Sequence, residues 1–281
     1  MKKPRTILLL SLSSPLISSC SVLPVDKIKN DETLAIVSTD IRGTIHARMI
    51  VWDYATVSFL EKKNDKKLEL DEKKLINTAD IVITSTDEES SILDNVLQEY
   101  HGTHLQLDNT QSDEEIVSLS ETINHIEAIR DVVSELDTKH RGYYYDQAGN
   151  YENTIRGTYK KLQARINEYN KQPFLLLSDN MSVFLWDFWL KENWIRRYPS
   201  DYFLSEKQEK MKELQRIIED KNIKIAFIKK DTKKEMINFL EKSWLTLYTI
   251  NTLDEDTSAW GYLRLIEKLV NTFITAFNAY D

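Results

Sequence analysis

Between Tyr144 and Tyr169 the sequence carries one helical signal for longer than a small domain ordinarily uses. Tyr144, Ala148, Tyr151, Ile155, Tyr159, Leu162, Ile166 and Tyr169 recur at steps of three to four residues, the spacing that gathers apolar side chains on one face of an α-helix. A continuous helix of that length runs roughly 40 Å at ~1.5 Å per residue, enough to brace two lobes side by side. Gly149 and Gly157 interrupt the composition, each costing about 1 kcal/mol relative to alanine inside a helix. A kink or an early break is therefore the alternative to one straight rod.

On either side of this stretch, short β-rich runs alternate with helical patterns. Leu34 to Thr39, Thr56 to Leu60, Ile81 to Ser85 and His104 to Leu107 read as strands. Asp71 to Thr78 and Ser90 to Tyr100 read as helices between them. After the long stretch, Phe174 to Leu177, Ile223 to Ile228 and Leu245 to Ile250 are nearly unbroken apolar runs, which suits strands covered on both faces. Asn180 to Asn193, Ser205 to Asp220 and Asp231 to Ser243 read as helices, the last with Asp231 as its capping residue, and a closing helix begins near Ser258. Alternation of this kind implies βαβ units and parallel sheets. The expected fold class is α/β, with two lobes, each a parallel sheet flanked by helices, joined by one long bracing helix.

The first residues read as a targeting segment. Lys2, Lys3 and Arg5 precede an apolar run from Ile7 to Ile17, which is shorter than the about 20 residues a spanning helix needs and has the layout of a cleavable signal peptide. The tetrad Ile17-Ser18-Ser19-Cys20 resembles the lipobox of bacterial lipoproteins, whose cysteine is acylated and becomes the mature N-terminus. Cys20 is the sole cysteine, so an intrachain disulfide is excluded and the core must supply the stability. Residues 21 to 32 are polar and patternless, as befits a tether. The expected organisation is a signal peptide at 1–19, a lipidated tether at 20–32, an N-terminal α/β lobe at 33–138, a linking helix at 139–171 and a C-terminal α/β lobe at 172–281. The expected location is the extracytoplasmic face of the cell membrane, with contact to the bilayer through the lipid on Cys20.

About 260 residues remain after cleavage, enough for one large domain or for two lobes that each bury a core of their own, of which two lobes is the expectation. The formal charge of −8 drops by three to −11 once Lys2, Lys3 and Arg5 are removed, which argues against nucleic acid as a partner. Six glycines are few for this length, and none of the Gly-rich phosphate-binding motifs occurs. Neither HExxH nor GxSxG is present, and no nucleophile, base and orienting group stand at motif-like spacing, so the chain does not read as an enzyme.

The order of signal peptide, lipobox, α/β lobe, long helix and α/β lobe resembles the metal-binding extracytoplasmic solute-binding lipoproteins of ABC transporters that import zinc or manganese. Local phrases carry the resemblance. Asp71 to Ile83 reads DEKKLINTADIVI, Val133 to Tyr151 opens the long helix, Pro173 to Phe184 reads PFLLLSDNMSVF, and Asn251 to Leu263 is similar to the family's closing segment. The resemblance implies a monomeric binding protein with an ABC permease as partner. It also implies a metal site of four ligands, usually three histidines and one carboxylate, a donor set that suits zinc and manganese. Matched without gaps, those positions fall near Asn64, on Glu114 or Glu115, on Ser178 and on Asn251. Only the second offers a strong donor. The site implied is therefore degenerate, with no resident cofactor expected beyond a weakly held divalent ion, zinc or manganese.

Glu115, Asp179, Asp254 and Asp256 offer oxygen ligands to a hard cation if they converge, and otherwise read as solvated turns. Among the five histidines, His101 and His104 have a spacing that could clip a metal, whereas His46, His125 and His140 match no ligand position. Trp186, Phe188, Trp189 and Trp194, with Trp52, Tyr54, Trp244 and Trp260, cluster near strand ends and helix starts. They either pack in the core or line a cleft remade for an organic solute. The leading functional expectation is a solute-binding component. Its alternatives are a repurposed surface lipoprotein serving adhesion or envelope interaction, and a binder of a non-metal solute.

Overall fold

The computed structural model describes residues 33–60, 68–84, 93, 95–107, 118–169, 172–177, 181–188, 190, 194–197, 207–230, 232–250 and 258–279. Residues 1–32, with the expected signal peptide, Cys20 and tether, lie outside the described residues, as do 90–92 and 94 of the helix expected over 90–100, whose residues 93 and 95–97 are helical.

Two four-stranded parallel sheets form, each with the same strand order. The first contains β1 (Leu34–Ser38), β2 (Ala55–Phe59), β3 (Ile81–Thr84) and β4 (Thr103–Gln106), arranged β2-β1-β3-β4. The second contains β5 (Phe174–Leu177), β6 (Trp194–Arg197), β7 (Ile225–Lys229) and β8 (Thr246–Ile250), arranged β6-β5-β7-β8. Helices are α1 (Ile41–Val51), α2 (Leu70–Asn77), α3 (Leu119–Leu136), α4 (Arg141–Asn167), α5 (Ser182–Asp187), α6 (Lys207–Asp220), α7 (Lys234–Lys242) and α8 (Gly261–Asn278).

Seven of these strands coincide with the apolar runs read from the sequence; β6 does not. The helix expected over 180–193 stops at Asp187, and the chain then supplies an edge strand to β5 with a register shift at Phe174/Leu175. A strand of four residues reading WIRR has too few apolar positions to produce a period. The capping residue expected for α7 also differs. Its N-cap is Lys233, whose side chain makes no cap hydrogen bond, and Asp231 lies outside the described residues.

Strand residues alternate between two layers, because successive side chains point to opposite faces. Ile36, Ile81, Ile83, Phe174, Leu176 and Phe227 face inward and join one buried cluster. Val37 and Val82 face an outer cluster with Leu60, Ile76 and Leu93, while Leu175, Leu177 and Ile228 face another with Leu214, Ile218 and Leu240. The sequence suggested a separate core for each lobe. The outer clusters are indeed separate, but the inner one is shared, and the reason is α4. Its buried stripe of Tyr144, Ala148, Tyr151, Ile155, Tyr159, Leu162 and Ile166 matches the predicted face, and it packs against α1, α3 and α8 together. Side chains from both sheets therefore meet it in one continuous apolar volume.

Gly149 and Gly157 do not break the helix. A Cβ added at either would meet no atom within 4 Å, so both glycines lie on the open side and cost only intrinsic propensity. Replacing Gly157 by alanine should raise stability by about 1 kcal/mol, whereas Ile155→Ala should lower it by about 2–5 kcal/mol, both read from urea denaturation.

Candidate functional site

In a doubly wound sheet the ligand-binding position is the carboxyl edge, where neighbouring strands send their connections in opposite directions. Here that switch falls between β1 and β3 in the first sheet and between β5 and β7 in the second, by the strand orders observed. At the first switch the residues are polar and buried: Ser38, Thr39, Asp40, Arg42, Thr44 and Thr84. Buried polar groups need partners, and most of these have them. The Thr39 N–H donates to the Ile83 carbonyl at 3.0 Å, and the Ser38 hydroxyl donates to the Asp40 carbonyl at 2.8 Å. The Asp40 carboxylate caps α1 by accepting from the Gly43 N–H at 3.1 Å and lies 3.4 Å from Arg42 Nε. Arg42 Nη1 has no hydrogen-bond partner.

Gly43 lets α1 reach this edge. A Cβ there would stand 2.8 Å from Ser38 Oγ and 2.9 Å from Ile83 Cγ2, closer than real atoms approach. Any larger residue would push the first turn of α1 off the strand ends.

Beneath that edge a hydroxyl network ties four helices together. The Tyr262 hydroxyl on α8 shares hydrogen bonds of 2.8 Å with Thr122 on α3 and with Tyr159 on α4. His46 on α1 contacts Tyr262 edge-on at 5.5 Å and places Nδ1 3.1 Å from the Tyr151 hydroxyl on α4. Burial, followed by the charges of His125 and Arg42, pushes the His46 imidazole down to about 3. Burial likewise pushes the Tyr262 hydroxyl up, opposed by its bonds to Thr122 and Tyr159. Asp187, the last residue of α5, accepts from the Leu119 N–H at 3.0 Å and so covers the amino end of α3. Its carboxyl is raised by burial; the Leu119 bond pulls it down and the nearby Glu121 charge pushes it up. The result is a mostly neutral, hydrogen-bonded floor that ties the first lobe to the second.

The sequence-derived ligand positions each follow a strand in the sequence. Ser178 directly follows the last residue of β5 and Asn251 the last residue of β8, while Asn64 and Glu114 fall in the segments that leave β2 and β4. All four lie outside the described residues, as do Glu115, Asp179, Asp254 and Asp256. Among the described residues no three His, Cys, Asp or Glu side chains converge as a metal site. His101 is exposed and His104 Nε2 is 3.0 Å from the Thr84 hydroxyl. His46 and His125 are core residues.

The aromatic residues divide in a way the sequence did not indicate. Phe184 and Phe188 are buried against Tyr159 and Phe273, but Trp52, Trp186, Trp244 and Trp260 are exposed. Core packing is thus the wrong expectation for these four tryptophans. An indole placed at a turn or on a short helix has no facing layer to enter. The side chains of Trp189 and Trp194 lie outside what is described. The residues that sequence reasoning missed are Asp40, Arg42, Gly43, Thr122, Tyr262 and Asp187. The string TDIRGT held one legible sign, an aspartate three residues before a glycine at a strand-to-helix turn.

Twin parallel sheets of the same strand order, joined by one long helix, make a two-lobed α/β fold. Solved structures share it. FpvC from Pseudomonas aeruginosa in complex with Ni2+ aligns with a TM-score of 0.70 at 16% identity, covering 89% of this chain and 98% of its own. A Zn(II)-bound variant of AdcAII from Streptococcus pneumoniae aligns with a TM-score of 0.67 at 13% identity, covering 87% and 100%. The laminin-binding adhesin Lmb from Streptococcus agalactiae aligns with a TM-score of 0.66 at 11% identity, covering 85% and 99%. No curated protein matches the sequence. The model of the family described as zinc-uptake complex component A, periplasmic, matches residues 33–276, and the chain belongs to that family. Its members are metal-binding solute-binding proteins of ABC importers, not enzymes. No helix among the described residues is long and apolar enough to cross a membrane.

Two measurements probe the floor. Tyr262→Phe should cost about 1–3 kcal/mol, because it strands the Thr122 and Tyr159 hydroxyls in the core. For His46 the folded imidazole is depressed below its unfolded value of 6.5 to about 3, so the unfolded chain binds the extra proton in between. Stability is then complete above the unfolded value and is lost as pH falls toward the folded one. Lowering pH from 7 to 5 should remove about 2 kcal/mol through this group, and His46→Gln should flatten that part of the denaturation profile.

Proposed function

We propose that this chain is an extracytoplasmic lipoprotein, held to the membrane by a lipid on Cys20, that carries a solute to an ABC permease from a metal site reduced to a single strong donor. The lobes are taken as 33–138 and 172–281 with the linking helix at 139–171, and the protein acts as a monomer. What supports the reading is the family match over residues 33–276 together with a fold whose strand ends precede all four ligand positions. At those positions Asn64, Ser178 and Asn251 stand in place of strong donors, leaving Glu114 or Glu115. Binding of about 10–16 kcal/mol in structural zinc sites is spread over a complete ligand set, so three replacements remove most of it. The site holds zinc or manganese weakly.

A second reading is favoured by one observation. Lmb, among the structures with this fold, is described as a laminin-binding adhesin, and this chain exposes Trp186, Trp244 and Trp260. A surface lipoprotein with an adhesive or envelope role, or a binder of an organic solute, would keep the fold while losing the metal.

Metal analysis of the purified mature protein after dialysis should find less than stoichiometric zinc and manganese, and calorimetric titration with zinc should show only weak heats. A tight one-to-one site would overturn the ligand assignment. Mass analysis of the mature N-terminus should show acylated Cys20, and Cys20→Ser should release the protein from membranes.

A further inference from the structure

We propose that the amino-terminal edge of the first sheet is a membrane-contact surface, with Trp52, Tyr54 and Tyr143, flanked by Lys139 and Arg141, lying against lipid headgroups beside the point where the tether joins the fold. The occupant is argued from where the chain arrives. Leu34 opens β1 and pairs with Ala55, and the Thr56 hydroxyl donates to the Leu34 carbonyl at 3.4 Å. The first described residues, Thr33 and Leu34, therefore enter the fold next to Tyr54. Fully extended, residues 20–32 span at most roughly 45 Å. This inference rests on the lipoprotein reading only for the tether, since the surface itself consists of described residues.

The surface is built rather than incidental. Tyr54 stacks on His140 with ring centroids 4.0 Å apart and meets Tyr143 edge-on at 4.6 Å. His140 is held in turn by Asp137, whose carboxylate lies 2.6 Å from Nδ1 and also accepts from the Tyr144 hydroxyl at 2.6 Å. On this fixed platform Tyr54 stays 37% exposed and Trp52, two residues before it, 53% exposed. Leu136 at the end of α3, Lys139 in the turn and Arg141 at the start of α4 are exposed, beside the acidic Asp53 and Glu135. Trp52 sits at φ 39°, in the left-handed region that favours glycine. A bulky indole is thus kept where the backbone would accept no side chain more easily.

Indole and phenol rings partition to the boundary between water and hydrocarbon because each has an apolar body and a polar tip. Basic side chains add attraction to anionic lipid, here on a chain whose overall formal charge is −8. The consequence is orientation. β1 runs from this edge toward Ser38 and the capped start of α1, so contact here turns the strand carboxyl ends away from the lipid. The solute site then faces open solvent for capture, and delivery to a permease requires the domain to lift off and turn over on its tether.

The test uses the mature chain with Cys20→Ser, so that no acyl chain contributes, and sedimentation with vesicles of phosphatidylglycerol and phosphatidylethanolamine. Weak, salt-sensitive binding is expected. Trp52→Gly with Tyr54→Ser should lower the partition coefficient about tenfold, and Lys139→Glu with Arg141→Glu by about fivefold or more per residue. The second pair leaves the aromatic platform intact and guards against misfolding of the first. Trp244→Gly is the control: Trp244 is 88% exposed with φ 62° in a comparable turn, and its removal should change nothing. The proposal is overturned if the parent does not bind these vesicles, if both edge variants bind as the parent does, or if Trp244→Gly loses as much as Trp52→Gly. A missing acyl group on wild-type Cys20 would instead sink the anchoring alone and leave the vesicle result standing.

Discussion

The apolar stripe of α4 is the contact on which both lobes lean. Tyr144, Ala148, Tyr151, Ile155, Tyr159, Leu162 and Ile166 are buried along one helix face, and the inner faces of both sheets reach that face through α1, α3 and α8. Each fully buried aliphatic or aromatic side chain contributes on the order of 1.5–3 kcal/mol, so the stripe is a large part of what holds the lobes in place. A core that is continuous across the linking helix resists hinge opening.

The hydroxyl network sharpens that restraint. Apolar packing alone tolerates sliding, whereas the bonds from Tyr262 to Thr122 and Tyr159, and from Asp187 to the amino end of α3, fix register between helices of different lobes. The hydroxyls are neutral, and burial keeps His46 so as well. A charged floor would have to be neutralised by its cargo, and a floor made mostly of hydroxyls would not.

Much of the architecture was readable because it rests on period. Seven of the eight described strands coincide with apolar or alternating runs, and the buried face of α4 coincides with the predicted stripe from Tyr144 to Ile166, with Tyr169 falling beyond the helix end. The misses share one physical cause, which is that their environment comes from elsewhere in the chain. β6 is a short edge strand with no period of its own, and the exposed tryptophans at 52, 186, 244 and 260 look like core residues until their neighbours are known. The shared inner core was hidden for the same reason, since two sheets can meet one helix face only after folding.

By itself, then, the order of residues determined the α/β class, the parallel sheets and the bracing helix, and it supplies the donor types from which the proposed site is read. Side-chain period and donor chemistry are local properties, so a linear reading reaches them. Only the tertiary structure decided that His46 meets Tyr151 and that Thr122 meets Tyr262, pairs 105 and 140 residues apart. Hydrogen bonds act over about 3 Å and depend on angle, and no local pattern encodes which distant hydroxyl will stand at that distance.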